Sequence, residues 1–154
     1  MSDSIRIEQP IPGFWSRAGS AILVIGTINS LLLAALIIAR FLLEARLPEG
    51  VAAFIREYWS EILLIYLFFE VLQPLVRSVT SIMWVTIDYF SSALVLVAYG
   101  TVLMIAVLFG TTTLEFRPMF SLTVVLIIDG LLLTALSYLL SRRLVGGGVG
   151  MGQY

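Results

Sequence analysis

Phe120–Leu140, FSLTVVLIIDGLLLTALSYLL, leaves this chain few choices. A helix of about twenty apolar residues, rising about 1.5 Å per residue, matches the roughly 30 Å hydrocarbon core of a bilayer. Arg142 and Arg143 follow at once, as expected where a helix leaves a membrane. One carboxylate, Asp129, sits near the middle of the run. A charge at that depth costs a few kcal/mol or more unless it is protonated, partnered or wetted, so Asp129 needs an explanation.

The remainder of the chain tells the same story. Only 12% of its 154 residues are charged, about half the usual share for a soluble domain, and mean hydropathy is +1.04. So few charges cannot dress a water-facing surface. The pattern predicts an all-α integral membrane bundle of four transmembrane helices, with both termini on one side. The spans fall at about 19–43, 59–76, 82–109 and 120–141, between a polar segment (1–18) and a flexible glycine-rich tail (144–154). No cleaved signal is expected, because the first apolar run starts late and is too long.

Composition also narrows the chemistry. Every basic residue is Arg, and His, Lys and Cys are absent. That removes imidazole haem ligands and proton shuttles, thiolate metal sites, disulfides, cysteine nucleophiles and Schiff-base lysines. No cofactor and no catalytic constellation is expected, and the near-zero net charge with no basic patch gives no sign of nucleic-acid binding. The tail's GGGVG lacks the strand and helix of a nucleotide-binding turn.

Within the spans, polar residues are few and therefore informative. In the first span Asn29 is flanked by Thr27 and Ser30, and Gly26 would let another helix approach closely. Such residues bond between membrane helices, each contact contributing about 1 kcal/mol or less. Arg40, near the span's far end, is placed to snorkel to the headgroups. Pro48-Glu49-Gly50 marks a turn, after which 51–59 reads as an interfacial helix running directly into the second span, with Tyr58 and Trp59 at headgroup level.

The second span carries the best-organised stripe. Tyr66, Glu70, Gln73 and Arg77 recur at spacings that put them on one helix face. Pro74 has no N–H for the Glu70 carbonyl, so one position offers both a carboxylate and a freed backbone oxygen. In the third span Trp84, Asp88, Ser91 or Ser92, and Tyr99 share a face, and an Arg77–Asp88 ion pair across the tight turn is expected.

Counting from the span ends predicts two polar layers. Asp129, Asn29, Tyr99 and Thr101 form a midplane layer; Glu70, Gln73, Arg77 and Asp88 form a lower one. Asp129 would then meet Asn29 or Tyr99, another subunit, or water. The ion-handling candidates are Asp129, Glu70, Gln73, Arg77 and Asp88, and the helix-contact candidates are Asn29, Tyr66, Tyr99 and Thr101.

From these readings we expect a small non-catalytic accessory or anchor subunit of a larger membrane complex, bound to lipid and to other membrane subunits. A polar stripe and a lone acid are what subunit-facing helices carry. The alternative is a homo-oligomeric proton- or cation-coupled transporter or channel using Asp129 or Glu70. Arg-rich flanks cast five votes against four for both termini in the cytoplasm: Arg6, Arg17, Arg77, Arg142 and Arg143 against Arg40, Arg46, Arg56 and Arg117. Arg40-Phe41 and Trp59-Ser60-Glu61 resemble motifs of the small four-helix subunit of tripartite transporters that depend on a periplasmic binding protein. The segment between the motifs is longer here, and no residue role carries over.

Overall fold

The computed structural model describes residues 13–77, 80, 82–109 and 115–146, with side chains except at 15, 16 and 137–146. It is all α among those residues. Helix α1 spans Phe14–Leu42, α2 Glu49–Glu57, α3 Trp59–Val76, α4 Ile82–Phe109 and α5 Phe116–Gly146, with a single 3-10 turn at Glu44–Arg46. Four of these, α1, α3, α4 and α5, are long and apolar enough to cross a membrane, which suggests a multi-pass membrane protein. Their outer faces carry exposed Ile28, Leu32, Phe68, Val97, Leu108 and Leu131, the surface a bilayer solvates.

Two helices reach further than the hydropathy pattern implied. α1 begins at Phe14, within the segment read as polar, because Gly13 offers the first carbonyl to Arg17 N (3.2 Å). α5 begins at Phe116, with Pro118 in its first turn where no amide is needed, and continues to Gly146, into the glycine-rich tail. Residues 1–12, 110–114 and 147–154, and the side chains of Trp15, Arg142 and Arg143, lie outside the described residues.

The connection from α1 to α3 differs from expectation in three respects. Pro48, Glu49 and Gly50 do not form a free turn: Val51 N and Ala52 N both bond the Pro48 carbonyl (2.9 and 3.0 Å), so Glu49 and Gly50 open α2. α2 does not run straight into α3. Tyr58 (φ −98°, ψ 19°) bends the chain while its N–H still bonds Phe54 and its carbonyl still takes Ile62 N. Trp59, finally, is not an exposed anchor but packs inside the bundle. Its ring is buried, meets Phe41 edge-on at 5.7 Å, and donates Nε1–H to the Pro118 carbonyl at 3.2 Å.

Arg40 also departs from its predicted role. It does not snorkel; it is 6% exposed, donating to Glu115 at 2.8 Å and to the Ile55 carbonyl at 3.3 Å, with its guanidinium 5.1 Å from the Trp59 ring centre. A cation three residues from the end of α1 is drawn inward because a carboxylate, a carbonyl and an indole face together replace its water.

α1 is central, packing along both α3 and α4, while α5 packs along α3. α4 and α5 form no extensive interface with each other. Contacts fix α1 antiparallel to α3: Gly26 meets Gln73, Ser30 meets Glu70 and Phe41 meets Trp59. The interior is accordingly split along its length. Toward the α2 end it is apolar, built from Leu33, Ile37, Ile55, Leu63, Val102 and Leu122. Toward the α3–α4 turn it is polar.

Candidate functional site

The polar half is a column organised by α3. At its inner end Tyr66, 1% exposed, donates its hydroxyl to Asp129 Oδ2 across the α3–α5 interface at 3.1 Å. One helical turn on, Glu70 is buried between two serines on different helices. Ser30 of α1 lies 2.9 Å from Oε1, and Ser92 of α4 lies 3.2 Å from the same oxygen. Ser30 has a second acceptor, the Gly26 carbonyl at 3.0 Å, but only one proton to give. Gln73 follows, fully buried against Gly26. A Cβ on Gly26 would collide with the Gln73 amide, so only glycine permits this approach.

The column ends at the α3–α4 turn in an ion pair. Arg77 Nη2 and Nε both donate to Asp88 Oδ2, at 2.7 and 3.0 Å, while the guanidinium stacks 4.2 Å from the Tyr89 ring centre. Asp88 is wholly buried. The expected pairing is therefore present, with an aromatic platform that the spacing did not suggest.

From Tyr66 to Arg77 the column climbs eleven residues of α3, about 16 Å of rise, roughly half the thickness of a bilayer's hydrocarbon. All five ion-handling candidates lie along it: Asp129, Glu70, Gln73, Arg77 and Asp88. The carboxylates come from three different helices, and the Arg77 guanidinium pairs with that of Asp88. Several buried atoms keep unused hydrogen-bonding capacity toward the described residues: Asp129 Oδ1, Asp88 Oδ1, Arg77 Nη1, Thr27 Oγ1 and both Gln73 amide atoms. No group of three acids among the described residues is close enough to hold a metal ion.

The helix-contact candidates fare unevenly. Tyr66 is the residue that joins Asp129 to the stripe. Asn29 is half-buried with Nδ2 unbonded, and does not reach Asp129. Tyr99 meets Thr123 of α5 at 2.7 Å; since Thr123 gives its own proton to the Met119 carbonyl (2.8 Å), Tyr99 is the donor. Thr101 bonds the Val97 carbonyl of its own helix at 2.8 Å and touches no partner helix through that hydroxyl. The predicted midplane layer of Asp129, Asn29, Tyr99 and Thr101 thus does not form. Ser30, one residue after Asn29, bonds Glu70, and Tyr66 spans to Asp129, so the polar residues follow one another along α3 and do not fall into the two expected layers.

Sequence reasoning missed two partners here. Thr123 lies on α5 in a run that reads as plain hydrocarbon, and nothing in its spacing marks it. Glu115 was read only as loop, though an acid just before a span is placed to meet a cation at the end of another. The chain was compared with known protein families, with curated proteins and with solved structures, and it matches none.

Proposed function

We propose that this is a small proton-handling membrane protein in which Asp129 and Glu70 exchange protons between mid-bilayer depth and the face bearing the α3–α4 turn. The observation that carries the reading is the column itself. Three buried carboxylates sit on three helices, and the guanidinium of Arg77 pairs with Asp88, which leaves Glu70 and Asp129 without a cationic partner among the described residues. An acid in hydrocarbon holds a proton, a cation or a wet path, and intramembrane acids of this kind mark such routes. Each of the two unpaired carboxyls is held by hydroxyls that can donate and accept, Asp129 by Tyr66 and Glu70 by Ser30 and Ser92. Past Asp129, toward the α2 end, the interior is apolar, so a proton crossing the membrane meets its main barrier there.

Asp129→Asn in proteoliposomes tests this. The substitution keeps the shape and the Tyr66 acceptor but removes the ionisable proton, so proton flux is abolished; unchanged flux removes Asp129 from the mechanism. The Arg distribution supports a column opening to the cytoplasm, with both termini there.

A second reading, an accessory subunit of a larger complex, is favoured by one observation. Among the described residues α5 packs chiefly along α3 and meets α4 through Tyr99 and Thr123, which leaves flanks for a further helix. Mass determination in mild detergent separates the two: stoichiometric foreign subunits support the accessory reading, and a clean homo-oligomer or monomer opposes it.

A further inference from the structure

At the end of the bundle opposite the column, the ends of α1 and α2 and the starts of α3 and α5 line an open cleft of about 370 Å³. We propose that it binds a phosphate-bearing anion. Its lining holds three guanidiniums, Arg40, Arg56 and Arg117, against one carboxylate, Glu115. The three cations stand at the ends of α1 and α2 and in the first turn of α5.

The three arginines are not equivalent. Arg40 is the fixed floor, buried and held by the Ile55 carbonyl and the Trp59 face. Arg117 is exposed and has no acidic partner among the described residues. Arg56 is paired with Glu49 (2.8 Å) and Glu44 (3.5 Å), so its charge is partly neutralised. Glu115 is the telling group. Its side chain is 60% exposed, it sits outside the helix just before α5, and its Oε2 lies 2.8 Å from Arg40 Nη2. A surface carboxylate bound to a buried guanidinium occupies the position a phosphate oxygen would take, and an anion that displaces it keeps the charge-assisted contact. The Ser60 hydroxyl on the rim provides a further donor.

The same chemistry is offered by two sources, a phospholipid headgroup and free phosphate. The cleft opens where three spans meet the membrane surface, beside exposed Phe54 and Tyr58, a setting suited to a lipid phosphodiester with its chains alongside. This site is separate from the acid column and does not depend on the proton-handling reading.

The test uses the full chain in neutral detergent, titrated with phosphatidylglycerol, with phosphatidylcholine and with inorganic phosphate, and read by native mass spectrometry. Phosphatidylglycerol or phosphate binds in preference to phosphatidylcholine. Arg117→Gln weakens that binding by about tenfold, the loss of one charge-assisted contact. Glu115→Gln strengthens it, because the competing carboxylate is gone. Competition by inorganic phosphate identifies a free anion as ligand, and its failure to compete identifies a lipid. Equal binding of all three probes, or phosphatidylglycerol and phosphate binding that neither substitution changes, overturns the proposal. Both substitutions are at exposed side chains, and an unchanged melting temperature shows that each variant is folded.

Discussion

Tyr66 of α3 donates a hydrogen bond to Asp129 of α5 at 3.1 Å, and this contact turns an isolated acid into the inner end of a polar column. Asp129 has no other hydrogen-bond partner among the described residues, since Oδ1 is buried and unbonded. Tyr66→Phe therefore leaves the whole carboxyl unsupported while preserving the ring. Leaving a buried polar group unsatisfied costs about 1–3 kcal/mol. Equilibrium unfolding in detergent reads that loss, and Tyr66→Phe/Asp129→Leu, which removes both partners, recovers most of it. A double variant no more stable than Tyr66→Phe contradicts the pairing.

Gly26 and Gln73 test the packing of α1 on α3. Gly26→Ala places a methyl group where the Gln73 amide lies, and displacing a buried side chain by overpacking costs about 1–3 kcal/mol. Adding Gln73→Ala makes room for it. The double-mutant cycle is expected to show a coupling well above 0.5 kcal/mol, roughly the limit for independent sites. Additive losses would mean that the two residues do not touch.

The Arg77–Asp88 pair makes a prediction of a different kind, because both partners are shielded and charged. Asp88→Asn leaves the guanidinium without its counter-ion and costs about 3–5 kcal/mol, the usual scale for breaking a buried pair. Neutralising both, with Arg77→Gln/Asp88→Asn, restores much of the melting temperature, although the Arg77–Tyr89 stacking is still lost. A double variant as unstable as Asp88→Asn would show that the single loss came from packing and not from charge.

What the sequence could and could not disclose follows from how local each signal is. The four membrane helices are written in runs of apolar residues of bilayer length, and the Tyr66–Glu70–Gln73–Arg77 stripe is written in helical spacing. The Arg77–Asp88 pair is brought together by a short turn, so it too is legible. The partners of Asp129, Tyr99 and Arg40 are not, because each lies on a helix whose axial offset is fixed only by packing. Asp129 meets Tyr66 because α5 packs along α3, a choice of neighbour that no local pattern records. Arg40 was misplaced for another reason. A position near a span's end predicts snorkelling only when no protein group competes with water, and here Glu115, Ile55 and Trp59 do.

The central claim is that the column exchanges protons, and the most direct measurement is proton uptake into proteoliposomes. Purified protein is reconstituted with a pH-sensitive dye inside, and a potassium diffusion potential, negative inside, is set with valinomycin. The account predicts acidification faster than in protein-free liposomes, lost in Asp129→Asn and in Glu70→Gln and retained in Arg117→Gln at the opposite end of the bundle. Uptake equal to that of protein-free liposomes, or unchanged in both acid variants, would contradict it.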